Sequence, residues 1–554
     1  MNAEINVPDN ESNHIEMCPA NVCAPFTSLD ELYQCLNKPP TWINSIIDLK
    51  SRCDYVIKNT EEDCHTEDYN FVPKRRLCRN LAPKTLVCHD MKNGYLEDKY
   101  LGRVNVGNGY TFYRWSQIDI FVYFSHHLIT IPPLSWINVA HNQGVPILGT
   151  FITEWNEGKA ICEFILKDVQ TIERAANALI DVCLLFKLDG WLLNIENSIE
   201  NTQNLKHFIK YLTDNLHKKR QEAYIIWYDS VINTGKLDWQ NELNEKNRCF
   251  FDVCDGIFLN YTWKKDNLMR TVKQAKHRIN DVYVGLDVFG RGCFGGGKFN
   301  SYLAAQAVRE YNLSLAIFAP GWTHESLAEE PRETFLERFH EKDNNWWNTL
   351  WPYLYSHPIK HAFKTKFCVG VDSNFYNLES QTLQLTNFLS YPKLAEVEEL
   401  GLLSEQCTCL KDKVESDRKM CLISNKSLSE FKNYVHRLFS THIFLHGDYV
   451  VYCYTKSKPI CDYNLVLLMQ NQYKHITKMV CHSNPPTDGE YQEDVVEIIP
   501  MSDPSFLKDK NVPNDWELKA FNIVCQEDLL LEIGISILGR HDIKLCEFGI
   551  TIKK

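Results

Sequence analysis

Residues Met1 to His14 carry no apolar run, so no secretory leader is expected. Nothing later in the chain approaches the roughly 18 consecutive apolar residues of a membrane-spanning helix, and no membrane partner is expected. A dense Lys/Arg stripe is also missing: the net charge is −12, and Lys74-Arg75-Arg76 reads as a short solvated loop. Nucleic acid is therefore not an expected partner. The 21 cysteines are odd in number, scattered through apolar segments, and lack zinc-finger spacing. They read as reduced thiols of a cytosolic protein, with no metal and no cofactor expected. His357 and His361 lack the neighbouring glutamate of a zinc protease. Gly290-Arg291-Gly292-Cys293-Phe294-Gly295 matches G-x-G-x-x-G only formally, since no acidic ribose partner lies near position 315. No serine or cysteine nucleophile motif stands out.

What is present is length and aromatic content. At 554 residues the chain exceeds one ordinary core, and aromatics reach 12%, with 13 Trp. Residues 1–24 are polar and unpatterned and read as disordered. Residues 25–80 read as an N-terminal extension packed on the main domain; Leu29, Leu32, Tyr33 and Leu36 share a helical face, with Ser28 and Glu31 arranged as a capping box. Then a unit repeats: an aliphatic run with polar or aromatic residues at its end, followed by an amphipathic helical segment. The runs are Thr85–His89, Ile118–Ser125, Val145–Trp155, Gly190–Glu196, Ala223–Asp229, Asp255–Trp263, Val282–Phe289 and Leu313–Pro320. Eight such units predict an α/β fold, a (β/α)8 TIM barrel over 81–358, in preference to a doubly wound sheet. The Trp-rich segment near Trp346, Trp347 and Trp351 is helical in pattern, and 359–554 reads as a β-sandwich-type region. In it a helical insertion is expected near Ser427–Phe439, and a polar connection at Cys407-Thr408-Cys409.

Strand ends on the carboxyl side of such a barrel build one pocket. The fourth run, Asp189 to Asn197, brings Asn194 and Glu196 to one face, roughly 6.5 Å apart along the strand. The other ends supply His89-Asp90, His126-His127, Glu154-Trp155, Tyr228-Asp229, Asn260 to Trp263, Asp287 to Arg291 and Pro320 to Trp322. Aromatic faces with polar edges suit a sugar. An ordinary retaining glycosidase uses two carboxylates about 5 Å apart. Here one of the central pair is an amide, which cannot attack an anomeric carbon usefully but can orient a substrate 2-acetamido group that does. Glu196 would then protonate the leaving oxygen and later deprotonate water, and Tyr228 would hold the oxazoline-type intermediate. This chemistry points to cleavage at an N-acetylglucosamine.

The ordered motifs Leu86–Met91, Ile118-Asp119 with Phe121–His126, Gly149–Trp155, Asp189–Glu196, Trp227–Val231, Gly256–Trp263, Asp287–Gly292 and Phe318–Trp322 resemble family 85 glycoside hydrolases, in particular the animal cytosolic endo-β-N-acetylglucosaminidases. The resemblance runs from about Pro25 to Trp322. It implies retaining, metal-free hydrolysis of the β1,4 bond between the two core GlcNAc residues of an N-glycan oligosaccharide or glycoprotein. It assigns the amide/acid pair to Asn194 and Glu196, the stabilising tyrosine to Tyr228, and sugar-stacking tryptophans to Trp239 and Trp263, with Trp155 and Trp322 as further candidates. Asp287 stands either at the site or as an anchor for Arg291. Asn93 and Arg114 depart from the Gly and His usual in the family. The rival readings are a glycan-binding barrel without activity and a chitinase-like hydrolase, which would carry Asp rather than Asn at 194.

Overall fold

The computed structural model describes residues 22–59, 65–67, 71–100, 109–112, 114–365, 407–408, 421–424, 434–457, 460–484, 494–508, 516–539 and 541–553. Eight strands form the barrel: β1 (Thr85–His89), β2 (Ile120–Tyr123), β3 (Ile147–Thr153), β4 (Gly190–Ile195), β5 (Tyr224–Tyr228), β6 (Gly256–Leu259), β7 (Val282–Asp287) and β8 (Ser314–Phe318). Each pairs in parallel with its neighbour; β8 returns to β1, and β2 meets β3, closing the ring. The eight expected runs are the eight strands.

Alternation along each strand sorts the side chains into two layers. Leu86, Cys88, Val122, Leu148, Ile152, Leu192, Ile226, Phe258 and Ala316 fill the barrel interior. Val87, Phe121, Phe151, Trp191, Leu193, Ile195 and Trp227 face outward into the helical layer. Leu192 and Asn194 thus share the inner face. The start of β4 is pinned by Asp189, which is buried and accepts from Ile147 N at 2.8 Å, from His141 Nε2 at 3.0 Å and from Arg220. Gly190 follows at φ 140°, where a Cβ would lie 1.8 Å from the Tyr224 carbonyl oxygen. That approach admits glycine alone.

The helices bury the faces their periodicity predicts. In Val169–Leu185 these are Ile172, Ala175, Ala176, Leu179 and Cys183; in Thr202–Lys219 they are Leu205, Phe208, Ile209 and Leu212. In the N-terminal extension Leu29–Asn37 is helical, with Leu32 buried and Arg174 over the Tyr33 ring at 4.6 Å. Ser28 caps it by accepting from Glu31 N at 3.2 Å, but the Glu31 carboxylate reaches Thr27 N at 2.6 Å, so the expected reciprocal box closes one residue earlier. Disorder was expected through residue 24. Residues 1–21 lie outside the described residues, whereas Val22 bridges Tyr100 and Cys23 donates its N–H to Lys99 O, because the Cys23 side chain is buried in the main core.

After β8 the helix Arg332–Leu350 buries Trp346 and Trp347. The region from 359 is β-rich. Its strands β9 (Tyr434–Lys456), β10 (Tyr463–Gln470), β11 (Ile476–His482), β12 (Glu517–Ile537) and β13 (Asp542–Ile552) belong to one continuous ten-stranded ladder. Runs expected as separate strands, His442–Leu445 with Tyr449–Tyr454 and Phe521–Cys525 with Leu529–Ile535, are the single strands β9 and β12. Their turn-like centres face each other across a bulge, where Gly447 and Glu527 take positive φ without breaking the pairing. The helical insertion near Ser427–Phe439 is not formed from Tyr434 onward, because Val435 and His436 pair with both β12 and His65–Glu67; residues 425–433 lie outside the described residues, as does the expected strand Phe367–Val371. Cys407–Thr408, expected as a plain connection, pairs with Cys421–Ser424. Just before this region, His357 Nε2 meets Asp119 Oδ1 at 2.7 Å and Arg79 reaches the same oxygen at 2.6 Å, a structural use of that histidine.

Candidate active site

Asn194 and Glu196 close the carboxyl end of β4. The register pairs Ile152 with Asn194 and Thr153 with Ile195, and Glu196 N donates to Thr153 O at 2.8 Å. The Asn194 side chain is buried, and its Oδ1 has no hydrogen-bond partner among the described residues. A buried amide oxygen left unmatched costs free energy unless a ligand supplies the donor. Glu196 is half-buried, and its carboxyl is held above the usual range. Burial is the main cause; Glu154 adds to it, while the Asn194 amide and His126 oppose it.

Tyr228 ends β5 on the inner face. Burial raises its phenol well above the ordinary value, with Glu196 adding charge repulsion, and its hydroxyl donates to Asn260 Oδ1 at 2.8 Å. Asn260 Nδ2 donates onward to Asn241 Oδ1 at 2.9 Å. Asp229 next door accepts from Asn241 N at 2.8 Å and Asn247 Nδ2 at 2.9 Å. Together they hold the segment carrying Trp239, whose side chain is 39% exposed.

The other expected sugar contacts divide. Trp155, two residues past β3, is 73% exposed, and its carbonyl accepts from Asn197 Nδ2 at 2.7 Å. Trp263 is not presented: it is 2% exposed, donates its indole N–H to Gly285 O at 2.7 Å and stacks on Phe294 at 4.9 Å. Trp322 is buried too, with Phe299 at its edge and Lys342 Nζ 4.4 Å over its ring. Position after a strand did not decide exposure; the loop after β7 brings Phe294 and Phe299 against the two rings. Asp287 takes the anchoring alternative. Its two oxygens accept from Phe289 N, Arg291 N, and the Arg291 guanidinium at 2.9 and 3.1 Å.

Sequence reasoning underrated the ends of β1 to β3. His126 Nδ1 lies 2.9 Å from Glu154 Oε2, and its backbone N–H donates to Asn93 Oδ1 at 2.6 Å. Asn93 supplies that acceptor while adopting φ 69°, a conformation asparagine tolerates far better than most residues. Asp90 stands near His126, Arg291 and Glu154, its carboxyl raised chiefly by burial. Both His126 and Glu154 lie in the strand-end motifs, but adjacency across strands is invisible in one dimension. No group of three His, Cys, Asp or Glu side chains fit to hold a metal occurs among the described residues.

The profile of Glycosyl hydrolase family 85 matches residues 95–375, just over half the chain. The cytosolic endo-beta-N-acetylglucosaminidase of Mus musculus is 44% identical over 314 residues, covering 55% of this chain and 42% of the relative. Cytosolic endo-beta-N-acetylglucosaminidase 2 of Arabidopsis thaliana is 41% identical over 362 residues, covering 62% and 50%. The chain spans about half the length of the curated relatives it matches. Among solved structures, the glycoside hydrolase domain, Endo-D, from Streptococcus pneumoniae R6 superposes with TM-score 0.64 at 15% identity, over 95% of this chain and 82% of that one, a likeness of fold. The chain belongs to glycosyl hydrolase family 85.

Proposed function

We propose that this chain is a retaining endo-β-N-acetylglucosaminidase that hydrolyses the GlcNAc-β1,4-GlcNAc bond of the N-glycan core, on free oligosaccharides or glycoproteins in the cytosol. The observation that carries the reading is the pairing of a buried, unmatched Asn194 Oδ1 with a Glu196 carboxyl of raised proton affinity. Asn194 Oδ1 accepts the acetamido N–H of the sugar on the non-reducing side of the scissile bond. That fixes the acetamido oxygen beneath the anomeric carbon, and its attack forms the oxazoline ring.

Glu196 gives its proton to the leaving glycosidic oxygen as the bond breaks. It then takes a proton from the water that opens the oxazoline, so the acid is restored after each turnover. Two displacements at one carbon retain configuration. The Tyr228 hydroxyl, at the end of the adjacent strand, stabilises the charge that develops on the ring. Residues 81–358 act as the catalytic unit. The cytosolic assignment is supported by the names of the relatives and by the free cysteines of the described residues.

Mass spectrometry of an N-glycopeptide incubated with the protein tests this. The expected product is a peptide retaining one GlcNAc, formed by the wild type and lost with Glu196→Gln. An unchanged glycopeptide that still binds the protein would instead make the barrel a glycan reader. Cleavage surviving in the variant would assign the acid elsewhere.

A further inference from the structure

The ends of β2, β3 and β4 are neighbours in the ring; the β3–β4 register sets Glu154 beside Glu196, and Ser125-His126 leave the other neighbour of β3. Glu154 follows the residue whose carbonyl receives Glu196 N–H, and its side chain is 14% exposed. His126 is fixed twice, by its backbone on Asn93 and its Nδ1 on Glu154, with Phe124 edge-on to its ring at 5.4 Å. Glu154 thus stands near both Glu196 and His126, while Asp90 stands near His126, Glu154 and Arg291. Among the described residues, the Asn194 amide and the phenols of Tyr228 and Tyr261 also stand near Glu196.

We propose that Glu154 and His126 form a positioning pair that sets the proton affinity of Glu196, Glu154 raising it and His126 limiting the rise. The proposal rests on the reading of Glu196 as acid and base. A fixed negative charge beside a carboxyl favours its protonated form, and a cation favours the ionised form. Before the bond breaks, Glu154 keeps the proton on Glu196. Once that proton has passed to the leaving oxygen, the His126 imidazolium stabilises the new Glu196 carboxylate until water returns a proton. The hydrogen bond to Glu154 raises the proton affinity of His126 against the opposing effect of burial, with the Glu154, Asp90 and Glu196 charges adding to it. Glu154 is thus engaged through Oε2 by His126, an arrangement suited to positioning rather than to nucleophilic attack.

The test is the pH dependence of kcat/KM on an N-glycopeptide, whose alkaline limb reports the ionisation of the free enzyme's acid. Glu154→Gln, which preserves shape, is expected to move that limb to lower pH. His126→Asn, which keeps the backbone bond to Asn93, is expected to move it to higher pH. Glu154→Asp, which keeps the charge, is expected to restore the wild-type position. Limbs that do not move, or that move in the same direction in Glu154→Gln and His126→Asn, would overturn the proposal, as would loss of cleavage at every pH in Glu154→Gln, which would make Glu154 a chemical participant. Full cleavage by Glu196→Gln in the same assay would instead remove the underlying assignment of the acid.

Discussion

The Tyr228 hydroxyl donates to Asn260 Oδ1 at 2.8 Å and its oxygen accepts from the Tyr261 side chain, so its proton is committed to Asn260. To stabilise the intermediate, the phenol must exchange partners or present its oxygen. Tyr228→Phe is expected to lower kcat about 10²-fold with little change in KM, the loss associated with one preorganised polar group. Asn260→Ala, which frees the phenol and releases Asn241, is expected to lower kcat by less and to raise KM, because the Trp239 segment loses an anchor. Steady-state kinetics on a defined glycopeptide separates the two.

Asn194→Ala removes the acceptor for the acetamido N–H. The expected loss is about 10²- to 10³-fold in kcat, with thermal stability unchanged or increased, since an unmatched buried polar atom has gone. Differential scanning calorimetry beside kinetics reads both; a lower Tm with unchanged kcat would make Asn194 a structural residue.

Trp155 and Trp263 should behave oppositely. Trp263→Ala removes a buried indole and its hydrogen bond to Gly285, at an expected cost of about 3–5 kcal/mol in unfolding free energy. Trp155→Ala, at an exposed position, is expected to leave stability within about 0.5 kcal/mol and to raise KM severalfold. Denaturant titrations and KM values decide.

Burial lifts the Asp229 carboxyl to about 6, although Asn247, Asn241 and Gln240 donate to it. The folded chain therefore holds this proton more tightly than the unfolded chain, where an aspartate titrates near ~3.9. The associated stability is fully present below about pH 4 and is lost as pH rises through about 6. Asp229→Asn, neutral throughout, is expected to flatten that segment of the stability curve, measured as urea midpoints between about pH 4 and about pH 7.

Much of the barrel was legible because its signals are local. Each short apolar run ends in polar residues, and Leu205, Phe208, Ile209 and Leu212 repeat at helical spacing. The Asn194-x-Glu196 pair was legible for the same reason, since alternation along one strand puts both on one face. What depends on contact between distant segments was not. Nothing near Trp263 in sequence says that Phe294 will cover it, and nothing near Glu154 says that His126 will bond to it. In the C-terminal region Gly447 and Glu527 read as turns; only their meeting across β9 and β12 turns them into a bulge in long strands.

The reading of a single acid, with the substrate's own acetamido group as nucleophile, makes a stereochemical claim that proton NMR of the newly released reducing end tests most directly. Retention is expected: the β anomer of the terminal GlcNAc appears first and then mutarotates. If the α anomer appeared first, water would be attacking directly, with a carboxylate such as Glu154 as its base, and the acetamido-assisted account would fall.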